Sequence, residues 1–518
     1  YGRQVAIQDG DQQLTYQQLD AARLRAASAF QAAGLVKGDC IAIWAPNIHE
    51  WILAAIGAQS LGIILVPINT RWKGSEAAYA LAMSKVKILF TVGDFLGQYY
   101  PALLAGETLP ALEQIILLQG DEQAADTVAA VSSWEAFLAS GADVSAAEIE
   151  QLSAQVSPDD VLDIGFTSGT TGSPKGVVTT HGQNIRVFEV YTETIGLRSD
   201  DNYLIISPFF HSFGYKAGWL ASIIRGAKIL PVLTFDLDEV LAQIQRDKVT
   251  MLPGAPTIYQ SILAHPRRKD YDLSSLRLCS TGAAPVPVEL VNRMRDELEF
   301  EVVVTAYGMT ETCGVITICR PDDPADIISG SSGRAMEGVE VRIVDGSGEE
   351  LPRGEAGEIW TRGYHVMQGY LDNPEATAET INEQGWLQTG DIGVMDAQGY
   401  VDITDRIKDM FIVGGFNCYP AEIENRLCSI KGVSAAAVIG MPDERMGEVA
   451  CAFVVRESVA GDTQLDAASV TAWCRDNMAN YKVPRVVHMV ESLPMNASGK
   501  VLKNELREQL SSGQGAVS

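Results

Sequence analysis

The stretch Ile164-Gly-Phe-Thr-Ser-Gly-Thr-Thr-Gly-Ser-Pro-Lys-Gly-Val177 decides how the rest of this chain is read. An apolar run enters a loop holding Thr167, Ser168, Gly169, Thr170, Thr171, Gly172, Ser173, Pro174, Lys175 and Gly176. Glycines let backbone N–H groups approach an anion closely, hydroxyls add donors and the lysine adds charge, a combination suited to a polyphosphate. This is not the nucleotide loop that ends in Gly-Lys-Ser/Thr and opens a helix, because Pro174 precedes the lysine. A Gly/Ser/Thr-rich loop alone is more often a plain surface loop, but three hydroxyls, two glycines and a lysine in this order favour polyphosphate binding.

On either side of the loop, short β-branched runs alternate with helical stretches. Cys40–Trp44, Ile63–Val66, Ile88–Val92 and Ile115–Leu118 have strand character, and His49–Ser60 has helical apolar spacing. That alternation predicts layered α/β architecture with largely parallel sheets. Thr15 followed three residues later by Gln18 predicts a capping box at a helix start. From Gly338 the texture changes to short strands and Gly-rich turns, which predicts a β-rich subdomain over about 338–405. A second change comes at Asp405-Arg-Ile-Lys-Asp409. Beyond it, strands at Met410–Val413, Val433–Ile439, Ala450–Val455 and Arg485–Val490 and helices at Pro420–Leu427 and Leu465–Asn480 make a compact α+β unit. The division is therefore 1–405 as a large N-terminal part, 406–409 as the connection and 410–518 as a small C-terminal domain, with a Ser/Gly-rich tail from Ser511.

The composition of the 518 residues bounds the partners. Hydrophobic residues at 47% and charged residues at 20% support large buried cores. With 39 Lys plus Arg against 66 Asp plus Glu, the net charge of −27 repels nucleic acid and anionic lipid. The eight cysteines form no Cys-x-x-Cys pair, so reduced thiols of a cytoplasmic protein are expected rather than a disulfide framework or a zinc site. The most apolar stretch, Trp51 to Asn69, is interrupted by Gln59, Ser60 and Gly62, and reads as a buried helix and strand rather than a membrane span. No nucleic acid and no integral membrane contact is expected, and a homodimer is left open.

The loop resembles the phosphate-binding signature of the adenylate-forming superfamily. That superfamily comprises acyl- and aryl-CoA synthetases, luciferase-like enzymes and the adenylation domains of nonribosomal peptide synthetases. Its other motifs follow in order: Gly282-Ala-Ala-Pro285, Tyr307-Gly-Met-Thr-Glu-Thr312, Thr389-Gly-Asp391, Asp405-Arg-Ile-Lys-Asp409, Gly414-Gly415 and Asn496-Ala-Ser-Gly-Lys500. The resemblance implies a ligase that converts a carboxylic acid and ATP to acyl-adenylate and pyrophosphate, then passes the acyl group to a thiol with release of AMP. ATP, Mg²⁺ and CoA are the implied cofactor and co-substrates.

Residue by residue, the resemblance makes Lys500 the catalytic lysine, positive where two anions meet. Glu311 becomes the Mg²⁺ carboxylate, with help from Thr170. The nucleotide falls to Thr167, Ser168, Gly169, Thr170, Thr171, Gly172, Lys175, Gly282, Ala283, Ala284, Tyr307, Gly308, Thr310, Asp391 and Arg406. Within that set Tyr307 stacks on adenine, while Asp391 and Arg406 serve the ribose. Lys408 stands at the hinge position, and Gly414 and Gly415 line a pantetheine tunnel.

Pro208-Phe-Phe-His-Ser-Phe-Gly-Tyr215 matches the aromatic segment of the acyl pocket, with His211 as gate and Tyr215, Ala306, Thr312 and Gly314 as walls. No acidic residue lies between Pro208 and Leu230 to pair an ammonium, which argues against an amino-acid substrate. The regional resemblance is to fatty-acyl-CoA ligases, and within them to a branch acting on ring-bearing propanoates of steroid degradation. The alternatives are an acyl-AMP ligase that loads a carrier protein and a non-catalytic nucleotide- or acyl-binding sensor. Against bulk repulsion at −27, the cleft would rely on backbone amides, Mg²⁺, Lys175, Arg406 and Lys500.

Overall fold

The computed structural model describes all residues except 124–125, 169–173, 283–285, 287, 407–410, 419, 457–464, 495–500, 502 and 512–518. The chain divides into two compact units. One comprises 1–70, 77–166 and 176–405; the other comprises 71–76, 167–175 and 406–518. The second thus gathers two short segments from far upstream, where a division by sequence alone is linear.

In the first unit, the largest sheet runs in the order Gly369–Tyr370, Pro174–Thr180, Val161–Ser168, Ile64–Pro67, Cys40–Trp44, Ile88–Val92, Gln114–Gln119 and Ala130–Ser133. From Val161–Ser168 to Ala130–Ser133 the pairing is parallel. Its middle strands Cys40–Trp44 and Ile88–Val92 are buried along their whole length, as a sheet covered on both faces requires. The apolar stretch at 51–69 resolves into helix His49–Gln59 and strand Ile64–Pro67, and no described helix is long and apolar enough to cross a membrane.

Thr15 and Gln18 form the reciprocal cap of helix Tyr16–Ala32. Helix His49–Gln59 begins at Ile48, which has no capping side chain, and Asp9 substitutes for one by accepting from the His49 N–H at 3.0 Å.

A second sheet is ordered Asn202–Ile205, Lys228–Pro231, Val5–Asp9 and Gln12–Thr15, and a third Leu278–Thr281, Val302–Tyr307, Thr317–Ile318 and Arg334–Ala335. An antiparallel sheet of Val339–Val344, Ala356–Gly363, Leu387–Met395 and Val401–Arg406 occupies the stretch where the β texture begins.

The second unit has a sheet ordered Phe416–Cys418, Phe411–Val413, Gly447–Arg456 and Val433–Asp443, with Val486–Val490 added parallel to Gly447–Arg456. Helix Pro420–Cys428 packs against Val433–Asp443. Helix Ala467–Asn477 is shorter than the apolar pattern implies: Asp466 caps its start in a box with Ser469, and the backbone turns extended at Met478. In this unit the buried Lys482 ammonium donates to Glu76 at 2.9 Å and to Glu422 at 2.5 Å. Burial works against its charge, but Tyr481, Glu422 and Glu76 outweigh that and hold its pKa above the ordinary lysine value.

All eight cysteines are free thiols and only Cys428 is exposed. Burial pushes the thiols of Cys313, Cys451 and Cys474 up to about 12, which keeps them protonated and unreactive.

Candidate active site

The Tyr307–Thr312 turn follows strand Val302–Tyr307 and is shaped by backbone crowding. A Cβ on Gly308 would lie 2.3 Å from the Gly314 carbonyl oxygen, so only glycine fits. The Thr312 hydroxyl closes the turn, accepting from Met309 N–H at 3.1 Å and donating to its carbonyl at 3.0 Å. Within this turn Glu311 is buried, at 7% exposure. The Tyr370 phenol donates to Glu311 Oε1 at 2.9 Å, and the Met367 N–H donates to the Glu311 carbonyl at 2.8 Å. A buried, oriented carboxylate is a hard oxygen donor of the kind Mg²⁺ takes alongside nucleotide phosphates, so Glu311 fits the ion that the family implies.

Tyr307 and Asp391 are brought together from strands Val302–Tyr307 and Leu387–Met395. The Tyr307 phenol donates to Asp391 Oδ2 at 2.6 Å. The approach to Asp391 is set by Gly390, whose φ of +72° suits glycine and whose N–H donates to Glu358 Oε1 at 3.0 Å. The Thr389 hydroxyl meanwhile holds the Ile359 carbonyl at 2.7 Å. Gly282 follows strand Leu278–Thr281, where a Cβ would meet the Ala306 carbonyl at 3.3 Å. A half-buried carboxylate anchored by a phenol can accept from a pair of vicinal hydroxyls.

The phosphate loop is described at its stems. Thr167 and Ser168 end strand Val161–Ser168, and Lys175 lies in strand Pro174–Thr180, half-buried like Thr167. At Gly165, a Cβ would meet the Thr310 methyl at 3.0 Å, so glycine lets the entry strand approach the Glu311 turn. Gly169, Thr170, Thr171, Gly172, Ala283, Ala284, Lys408 and Lys500 lie outside the described residues. Arg406 closes strand Val401–Arg406. Gly414 and Gly415, with φ of +55° and +84°, form the two-residue turn between strands Phe411–Val413 and Phe416–Cys418. That is the pattern of a tight hairpin.

Of the residues expected at the acyl pocket, His211 starts the helical run at Ser212. Its Nδ1 accepts from the Phe213 N–H at 3.2 Å, which places the ring proton on Nε2 in the neutral form. Although this side chain is exposed, the protein packed around it disfavours the imidazolium and lowers its pKa. Gly314 faces Ser212 and Phe188: a Cβ there would meet Ser212 Cβ at 3.4 Å and the Phe188 ring at 3.9 Å. Ala306 is half-buried. Tyr215 and Thr312 are fully enclosed. The Tyr215 ring stacks on Trp219 at 4.8 Å, and its hydroxyl accepts from Gln59 at 2.5 Å.

Two features went unread in the sequence. Tyr370 is one; the other is a buried ion pair behind the acyl segment. Lys216, in the π-helical stretch Tyr215–Leu220, reaches Asp163 Oδ1 at 3.1 Å, Asp163 Oδ2 at 3.0 Å and Thr179 Oγ1 at 3.2 Å. Thr179 donates to Asp163 at 2.5 Å and accepts from Asn184 at 2.8 Å. Asp163 and Thr179 sit on the two stem strands of the phosphate loop, so one ammonium ties both stems to the acyl segment.

Within the first unit, the structure describes the Glu311 turn, the Tyr307–Asp391 bond and the segment around His211. Residues 1–371 match the AMP-binding enzyme family and residues 422–500 its C-terminal domain, and the chain belongs to that family. It is an AMP-forming acyl-CoA ligase, an acid–thiol ligase whose substrates are ATP, CoA and a hydrophobic carboxylic acid. Among similar proteins, the 3-[(3aS,4S,7aS)-7a-methyl-1,5-dioxo-octahydro-1H-inden-4-yl]propanoyl:CoA ligase of Rhodococcus jostii (strain RHA1) is 48% identical over 513 residues, covering 98% of this chain and 96% of its own length. The ligase of the same name from Mycobacterium tuberculosis (strain ATCC 25618 / H37Rv) is 47% identical over 498 residues, covering 96% of this chain and 94% of its own length. Among solved structures, an o-succinylbenzoate CoA synthetase from Bacillus subtilis is 29% identical, with coverage of 98% and 96% and a TM-score of 0.80.

Proposed function

We propose that this ligase activates a bulky ring-bearing propanoate, as a bicyclic 3-propanoic acid, in preference to a linear fatty acid. The observation that carries this reading is the 48% and 47% identity, across nearly the whole chain, to two ligases named for such an acid. The acyl segment supports it: aromatic residues and glycines surround His211, and the buried cation Lys216 is already neutralised by Asp163.

In this reading Tyr307 stacks on adenine and Asp391 accepts the ribose hydroxyls with Arg406. The amides and hydroxyls of 167–175 with Lys175 hold the phosphates. Glu311, assisted by Thr170, holds Mg²⁺, which when bound neutralises charge on the β- and γ-phosphates. Lys500 supplies positive charge where carboxylate and α-phosphate meet. Neutral His211 keeps its Nε2 proton toward the acyl side as the gate, Lys408 is the hinge, and Gly414 and Gly415 border the pantetheine path. A homodimer is compatible with all of this.

The test is a coupled assay with ATP, Mg²⁺, CoA and a panel of acids. CoA-dependent AMP and pyrophosphate with the highest kcat/KM for fused-ring propanoates is the expected result. A linear acid as best substrate would reject the ring specificity, and ADP as product would reject the adenylating chemistry.

A further inference from the structure

We infer that Tyr370 is a positioning residue for the metal-binding carboxylate of Glu311. The inference rests on the role proposed above for Glu311 and extends it to a residue that no motif singles out.

Strand Gly369–Tyr370 is only two residues long, yet it is held on several sides. It pairs antiparallel with the exit strand of the phosphate loop, Tyr370 opposite Val177 and Gly369 opposite Val178. Next to it, Gln368 N–H donates to the Val178 carbonyl at 2.9 Å and Leu371 N–H to the Gly176 carbonyl at 2.7 Å. The Tyr370 N–H donates to Thr377 Oγ1 at 2.9 Å. Gly369, at a φ of +148°, lies so close to Thr377 that a Cβ would approach its methyl to 2.8 Å.

From this fixed backbone the same segment grips Glu311 twice, through Met367 N–H on its carbonyl and through the Tyr370 phenol on Oε1 at 2.9 Å. A phenol proton given to one carboxylate oxygen restrains the carboxylate's rotation. Tyr370 therefore links the register of the loop's exit strand to the orientation of Glu311. Such outer partners of metal ligands are worth about 10- to 100-fold in metal affinity.

The experiment measures Mn²⁺ binding by EPR with the full-length protein in excess over a non-hydrolysable ATP analogue. Wild type, Tyr370→Phe and Glu311→Gln are compared, each checked by circular dichroism and unfolding midpoint. Tyr370→Phe is expected to weaken Mn²⁺ binding about tenfold and to raise the Mg²⁺ concentration needed for ATP–pyrophosphate exchange. Its rate of thioester formation from supplied acyl-adenylate should stay unchanged, because that half-reaction follows pyrophosphate release.

Mn²⁺ affinity within twofold of wild type in Tyr370→Phe, with Glu311→Gln weakened, overturns the positioning role. Unchanged affinity in Glu311→Gln instead overturns the metal role on which it rests. Equal loss in both half-reactions would mark Tyr370 as merely structural. Should Tyr370→Phe fail to fold, Thr377→Val, which loosens the Tyr370 backbone and leaves the phenol in place, must weaken Mn²⁺ binding in the same direction for the inference to stand.

Discussion

Replacing Lys216 by methionine removes one charge from a buried cluster and leaves the side chain's length nearly intact. Lys216 and Asp163 are 5% and 1% exposed, and the ammonium spans Asp163 Oδ1, Asp163 Oδ2 and Thr179 Oγ1. In the variant, Asp163 keeps the Thr179 hydroxyl but loses the Lys216 ammonium, and its carboxylate is shut off from water. Breaking a buried pair by deleting one partner costs about 3–5 kcal/mol, mostly as the penalty on the charge left behind. Unfolding the first unit, roughly 390 residues, carries an entropy near 0.8 kcal/mol/K at about 2.1 cal/mol/K per residue. The expected fall in melting temperature is therefore about 4–6 °C, read by calorimetry or near-UV circular dichroism.

The double variant Lys216→Met/Asp163→Asn restores neutrality and leaves an amide that can still bond Thr179. It should recover more than half of the loss. A melting temperature for Lys216→Met within 1 °C of wild type would refute the reasoning, as would a double variant as unstable as the two single losses summed.

Lys500→Ala should slow adenylation at least ~10²-fold, as the loss of a major electrostatic contributor does; an unchanged rate of ATP–pyrophosphate exchange would reject its role. Gly308→Ala forces a methyl to within 2.3 Å of the Gly314 oxygen, so it should distort the Glu311 turn and cut adenylation at least ~10-fold, measured by the same exchange. His365 is fully buried, bonded through Nε2 to Thr361 at 2.8 Å, and burial lowers its pKa to about 4. Between pH 6.5 and about 4 the unfolded chain binds a proton that the folded chain does not. Stability should therefore fall with decreasing pH across that window, by about 3 kcal/mol in total. In His365→Gln the urea midpoint should lose that part of its pH dependence, and an unaltered profile would remove His365 as the cause.

The parallel sheet was legible because its strands are continuous apolar runs. Cys40–Trp44 and Ile88–Val92 have the same bounds in sequence and structure, and the Thr15/Gln18 box is a local pattern that needs no tertiary help. Asp9 as the cap of helix His49–Gln59 was not legible, since it comes from a strand 40 residues earlier. Tyr307 and Asp391 were singled out through motifs, and the structure brings Tyr307 onto Asp391 across 84 residues. Tyr370 escaped because a two-residue strand has no period, and its bond to Glu311 spans 59 residues. Lys216 escaped for a different reason. A lone lysine among apolar residues reads as solvated, and only the fold discloses Asp163 behind it.

The Lys482 cluster has a consequence for how the chain comes into being. Glu76 is 4% exposed, and its cation lies 406 residues further along the sequence. At about 5–20 residues per second, a ribosome needs roughly 20–80 s to deliver Lys482 after Glu76 has emerged. Until then the carboxylate at the head of helix Gly74–Met83 has no lysine to receive it, and its burial must wait or be held off in water. Any premature stop before residue 482 leaves that acid without its counter-ion. A fragment beginning at residue 406 carries the converse defect: the lysine arrives with Glu422 alone. The stretch around residue 482 thus completes a site begun around residue 76.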